Sequence, residues 1–96
     1  MKVSIAESAL ADLEEILRYY RDRDAEGSGR QVVGTILRRI EQLAPYPESG
    51  RIVPEFDAPF LRELIEPPFR IVYRHDKNRV RVVRVWRSAR ILRLDE

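Results

Sequence analysis

Cysteine is absent from this 96-residue chain, and histidine occurs once. The first absence excludes disulfides and thiolate metal ligands, and the second excludes most histidine-based zinc sites. Such a chain suits a reducing cytosol. No apolar run approaches the ~20 residues of a membrane span. The N-terminal stretch MKVSIAESALADLEE carries acids where a signal peptide would be uninterrupted and apolar. We therefore expect a cytoplasmic protein with no membrane contact, no metal and no cofactor. The length corresponds to one domain, 1–96, which buries only ~60–65% of the surface its unfolded form exposes and so builds one modest core.

Lysine is scarce too. Of eighteen basic residues all but Lys2 and Lys77 are arginine, whose planar fork suits bidentate contacts to phosphate or carboxylate. The net charge of +2 hides an asymmetry: residues 1–68 carry a net −4 and residues 69–96 a net +6. The partner-seeking character therefore lies in the last third. Its centre is FRIVYRHDKNRVRVVRVWRSAR, Phe69 to Arg90, with seven arginines in twenty-two residues.

Lys2 to Ile5 reads as a short strand, and Ser4-x-x-Glu7 offers a capping box for a helix starting near Glu7 or Ser8. Leu10, Leu13, Ile16, Leu17 and Tyr20 give that helix an apolar face, with an end near Arg23. Asp24 to Gly29 reads as a turn. A second helix follows from about Arg30, with Val33, Ile36, Leu37, Ile40 and Leu43 at helical spacing. So short a turn predicts an antiparallel hairpin.

APYPESGRIVPEFDAPF, with four prolines in seventeen residues, reads as a loop held by Tyr46, Val53 and Phe56. Leu61–Ile65, Phe69–His75 and Val80–Trp86 read as strands, the last two joined by the polar turn Asp76-Lys77-Asn78. Val82-Val83 and Val85-Trp86 put apolar residues on both faces, so the side away from the helices should be only partly open. The expected fold is α+β, in the order β-α-α-β-β-β, with the helical hairpin on one face of a small, mainly antiparallel sheet.

Taken residue by residue, most candidate features have an ordinary structural reading. Glu14, Glu15, Asp22 and Glu26 suit the solvent face of the first helix. Gly27-Ser28-Gly29 lacks the spacing and the strand-before-helix context of a phosphate loop. Arg79 and Arg81 suit the wet face of a sheet, paired with acids. His75 suits a solvated turn, and Tyr73, on the side of Phe69 and Ile71, suits the core. Trp86 suits either a core or an interface.

Five segments together resemble the RelE/ParE toxin superfamily, in its ParE-like branch. They are Ala9-x-x-Asp12-Leu13 with Ile16 and Tyr20, then Pro47-x-x-Gly50-Arg51-x-Val53-Pro54-Glu55, then Arg62-Glu63-Leu64-Ile65, then Phe69-Arg70-Ile71-Val72-Tyr73-Arg74, and lastly Val85-Trp86-Arg87-Ser88-Ala89-Arg90. The resemblance spans essentially the whole chain. It implies the toxin of a bacterial type II toxin-antitoxin module, neutralised by a ParD-like antitoxin whose C-terminal segment wraps along it. In the ParE branch the implied activity is inhibition of DNA gyrase. In the RelE branch it is cleavage of mRNA on the ribosome.

Metal-free RNA cleavage needs a base, an acid and cations around the phosphorane. Arg62, Arg70, Arg74, Arg84, Arg87 and Arg90 supply cations that could approach one phosphate. Proton carriers are few, because arginine, with a pKa above ~12, does not exchange protons at neutral pH. Active relatives commonly place a histidine or tyrosine at or just beyond the last strand, where this chain reads Trp86-Arg87-Ser88-Ala89-Arg90. A ribonuclease would have to draw on Arg62, Glu63, Arg70, His75 and Arg84, although Glu63 beside Arg62 also suits a cross-strand ion pair. The leading expectation is a toxin that binds gyrase without catalysis through Arg84, Trp86, Arg87 and Arg90. A ribosome-dependent ribonuclease and an arginine-rich RNA-binding module are the alternatives.

Overall fold

The computed structural model describes residues 1–87. Strand β1 (Lys2–Ile5) is followed by helices α1 (Glu7–Arg21) and α2 (Glu26–Glu41), then by β2 (Arg51–Ile52), β3 (Leu61–Glu66), β4 (Phe69–His75) and β5 (Arg79–Arg87). The strands form one sheet in the order β1-β5-β4-β3-β2, antiparallel except where β1 runs parallel to β5. The α+β reading holds, with one strand more than expected.

The helices bury narrower stripes than their apolar residues suggested. In α1 the buried positions are Ala9, Leu13 and Ile16, continued by half-buried Tyr20. Leu10 and Leu17 face solvent. In α2, Val33, Ile36 and Ile40 are buried and Leu37 is exposed, while Leu43 is buried just past the helix end. Each stripe packs on Leu64, Phe69, Ile71, Tyr73, Val80, Val82 and Val85 of the sheet, forming the main core.

Two helix boundaries depart from expectation. Pairing of β1 with β5 runs to Ile5, so Ser4 stays in the strand, Ala6 occupies the N-cap, and no side chain caps the helix. The capping box does not form. The segment Asp24 to Gly29 is mostly helix rather than turn, because α2 begins at Glu26. Intrinsic propensity opposes glycine there by about 1 kcal/mol per residue, but tertiary packing requires it. A Cβ on Gly29 would lie 2.8 Å from Tyr20 Cβ, so glycine lets the two helices approach.

The far face of the sheet carries a second, smaller core. Val53 and Val72 are buried there, with Phe56, Leu61, Val83 and Trp86 packed around them. A bulge makes this possible: Tyr73 pairs with Val82 but Val72 pairs with Arg84, leaving Val83 as the extra residue of β5. Past it the alternation is offset by one residue, so Val82 and Val85 both face the helices while Val83 and Trp86 both face the smaller core.

The proline-rich loop is pinned over this face by polar contacts the sequence did not announce. Glu63 is 1% exposed. Its Oε1 accepts from Arg70 Nε at 2.7 Å, and its Oε2 accepts from Arg51 Nε at 2.7 Å. Arg70, itself buried, turns its other two nitrogens on Glu55 at 2.8 and 2.9 Å. Two carboxylates and two guanidiniums thus form a neutral, hydrogen-bonded group linking loop, β3 and β4. The bonds to Glu55 raise the Arg70 pKa further above its ordinary value against the opposing pull of burial, with Glu63 adding to the rise. From the helix side of the sheet, Tyr73 Oη donates to the Pro47 carbonyl at 2.8 Å and accepts from Gly50 N–H at 2.9 Å, while Arg62 Nη1 donates to the Gly50 carbonyl at 3.0 Å. Any Cβ at Gly50 would meet Tyr73 Oη at 2.6 Å and the Glu63 carbonyl at 2.7 Å. Of the three side chains expected to hold the loop, Val53 and Phe56 do so. Tyr46 is 66% exposed.

Two predictions follow from this packing. Truncating Glu63 strands the buried Arg70 with only Glu55, so Glu63→Ala should lower unfolding free energy by about 3 kcal/mol. Arg51→Ala removes a partner whose own side chain is 59% exposed but leaves the buried Glu63 Oε2 without its bond, so it should cost less than Glu63→Ala, about 1–2 kcal/mol. Urea titration of both variants checks the contrast. For Tyr73, burial pushes the phenol above its ordinary value of 10.0, outweighing the Gly50 N–H bond and Arg62, which lower it; Glu48 adds a smaller upward push. The folded state thus holds a proton that the unfolded chain releases near pH 10. Stability is fully present below that pH and declines as pH rises toward the folded value. Tyr73→Phe should be less stable at neutral pH by about 1–3 kcal/mol, through the unpaired Gly50 N–H, and its stability should fall less steeply above about pH 10.

Candidate functional site

Strand β1 covers β5 only from Arg79 to Val82. From there the chain enters α1, and the helix takes over the edge. Ala6 N–H donates to the Val82 carbonyl at 2.8 Å, Ser8 Oγ to the Val83 carbonyl at 2.7 Å, and Asp12 Oδ2 accepts Val85 N–H at 2.8 Å. Beyond Val85, among the described residues, no strand lies on this side of β5. The result is a cleft of about 380 Å³ between α1 and the end of β5. Its sides include Asp12, Glu15 and Tyr19 from the helix and Arg84, Trp86 and Arg87 from the strand.

Asp12 organises this cleft. Besides receiving Val85 N–H, it accepts both Nε and Nη2 of Arg84, at 2.8 and 3.0 Å. The fork so fixed lies 4.6 Å from the centre of the Trp86 ring. Trp86 is half-buried, with its inner side on the small core of Val53 and Val72. It therefore serves core and surface at once. On the helix, the half-exposed Tyr19 ring has the Arg23 guanidinium 3.6 Å from its centre and that of Arg87 at 5.9 Å. Arg87 has no acid partner among the described residues, so its charge is available at the mouth of the cleft. Such a rim of arginine and large aromatics can anchor a protein partner.

The other sequence candidates lie elsewhere. Arg62, Glu63 and Arg70 belong to the contacts that pin the loop, so these arginines do not converge with Arg84 and Arg87 on one phosphate position. Glu63 is the cross-strand ion pair, buried with both oxygens occupied. Arg74 bonds Asp76 at 3.2 Å and lies 4.7 Å from the Phe60 ring centre. His75 sits at the opposite end of the sheet, beside Tyr46, Glu48 and Lys77 in a wide, open hollow. Arg90 lies outside the described residues. Asp12 and Tyr19 were missed as site residues. Asp12 stood in the first quoted segment, but its role needs β5, more than seventy residues away, so no local spacing reveals it.

The pattern describing the ParE toxin of the type II toxin-antitoxin system, parDE, matches residues 3–92. No curated protein matches significantly. Among solved structures, a chain from the chromosomal ParDE toxin-antitoxin system of P. aeruginosa superimposes with a TM-score of 0.76 at 24% identity, covering 91% of this chain and 95% of that one. That likeness supports the fold, and the match over residues 3–92 establishes the family: the chain belongs to the ParE toxins of type II toxin-antitoxin systems.

Proposed function

We propose that this toxin acts by binding DNA gyrase through the cleft between α1 and β5, and that a ParD-like antitoxin silences it by covering the same rim. The observation that carries this reading is the pairing of a half-buried anchor, Trp86, with an exposed cation, Arg87, that has no acid partner among the described residues, beside the end of β5, which among those residues has no strand on its α1 side. An anchor held from beneath loses little freedom on binding, and a charge at the rim steers encounter. The bidentate Asp12–Arg84 pair makes Arg84 a positioning residue that holds the Trp86 ring, rather than a free contact.

The antitoxin part rests on family membership and on surface chemistry. A segment that is disordered when free can add along an uncovered strand edge while its acids meet Arg87. Exposed Leu10 and Leu17 on the outside of α1 offer apolar area to the same partner. Antitoxin and target would then compete for one surface of the toxin, so neutralisation requires no change in the toxin's fold.

Purified toxin should inhibit gyrase supercoiling or trap the cleaved gyrase–DNA complex. Trp86→Ala should weaken inhibition by about 2 kcal/mol or more, Arg87→Ala by a smaller step, and Arg18→Ala not at all. Circular dichroism must show each variant folded, because Trp86 also fills the small core. A folded toxin that arrests growth yet leaves supercoiling untouched overturns the gyrase assignment. Co-expression with the adjacent small open reading frame should restore growth and yield a co-purifying complex, and that complex should no longer act on gyrase.

A further inference from the structure

The other end of the sheet has a charge pattern that neither folding nor the cleft explains. In the β1–β5 pairing Lys2 stands opposite Arg79, and in the β4–β5 pairing Arg74 stands opposite Arg81. These positions alternate with the buried Val80, Val82 and Tyr73, so all four lie on the face away from the helices. All four residues are exposed, as is Lys77 in the adjoining turn. Asp76 is the one acid in either Lys2–Ile5 or Arg74–Arg81, and it bonds Arg74. Among the described residues Lys2, Lys77, Arg79 and Arg81 have no ion pair.

Directly opposed like charges destabilise a sheet, their Cβ atoms lying only about 4.5–5.5 Å apart. Protection of an exposed edge would account for Lys2 on β1. It does not account for Arg74, Arg79 and Arg81, which occupy the two strands β4 and β5 inside the sheet. Arg79 and Arg81 have no acid partner among the described residues, and Arg74, although bonded to Asp76, still stands opposite Arg81, so the face sets cation against cation where a plain wet face would alternate cations with acids.

We infer that this patch of Lys2, Arg74, Lys77, Arg79 and Arg81 binds the phosphate backbone of a nucleic acid without regard to sequence. The surface favours phosphates over an acidic polypeptide. A peptide partner needs an open strand edge or an apolar pocket as anchor. Here the three arginines sit on strands paired along both sides, so a peptide added at the open edge of β1 would meet Lys2 rather than the arginines, and the exposed ring of Phe60 already faces the Arg74 guanidinium. What remains is a grid of charge. Its spacing is about 6.7 Å along a strand and about 4.8 Å between strands, presented by side chains whose forks match phosphate oxygens. Binding would be dominated by counterion release and thus by salt. The patch lies at the opposite end of β5 from the cleft, so this inference stands whether or not gyrase is the target.

Fluorescence anisotropy with the purified full chain tests it, using a labelled DNA duplex, a labelled single-stranded RNA and labelled poly-glutamate. We expect binding to a polynucleotide that weakens linearly in logarithmic salt between about 50 and 200 mM. The double variant Arg79→Gln/Arg81→Gln should bind less tightly at every salt concentration and reduce the salt slope by about two. Its thermal stability at low salt should be equal or higher, because opposed charges are relieved. The control Arg18→Gln/Arg30→Gln, on the helices, should bind like the parent. Preference for duplex or for single strand identifies DNA or RNA as the source of the phosphates. Absence of polynucleotide binding, equal loss in both double variants, or tighter binding to poly-glutamate would each overturn the proposal.

Discussion

The buried bond between Glu63 and Arg70 is the constraint on which the outer half of the molecule depends. Neither charge is tolerable alone in a sheet face closed by the proline-rich loop. Their cost is offset because every polar atom involved finds a partner: Arg70 divides its nitrogens between Glu63 and Glu55, and Glu63 divides its oxygens between Arg70 and Arg51. Glu55 and Arg51 belong to the loop region, so satisfying the pair in the sheet also holds the loop. Once held, the loop delivers Val53 onto Val72 and closes the small core against which Trp86 rests. The family-like segment Pro47-x-x-Gly50-Arg51-x-Val53-Pro54-Glu55 is therefore a structural clasp. Pro47 accepts from Tyr73, Gly50 leaves room for it, Arg51 and Glu55 complete the ion group, and Val53 is the plug.

A second device of the same kind operates at the other edge. A four-residue strand cannot cover a nine-residue one, so half of β5 would carry unpaired backbone groups on that side. Helix α1 answers with side chains, through Ser8 and Asp12, and the Asp12 carboxylate also holds Arg84. One residue thus ends the edge pairing and orients the guanidinium over Trp86, and among the described residues no strand covers the last part of β5 on that side. The cleft follows from how the edge is terminated.

These two devices sort the arginines that dominate the last third of the chain. Arg70 is buried structure, Arg84 is positioned structure, and Arg87 is exposed charge beside aromatic rings. Arg74, Arg79 and Arg81 form a separate patch with its own chemistry. Composition counts all of them alike as basic residues, but their capacity to bind a partner depends on whether an acid already occupies them.

The helices, the three long strands, the β4–β5 turn and the α+β layering were legible in the sequence, because they follow from periodicity and turn chemistry acting over a few residues. Placement of Tyr73 with Phe69 and Ile71 followed from strand alternation alone. The family resemblance was legible too, since it rests on residue types in order along the chain. What the tertiary structure decided were relationships between distant segments: the short strand β2, the glycine-bearing start of α2 against Tyr20, the bulge at Val83, and the exposure of Leu10 and Leu17. It also decided which arginines were occupied. Glu63 and Arg70 are seven residues apart and Asp12 and Arg84 seventy-two. No local propensity encodes such pairs, because a buried charge selects its partner by desolvation and distance in the folded chain.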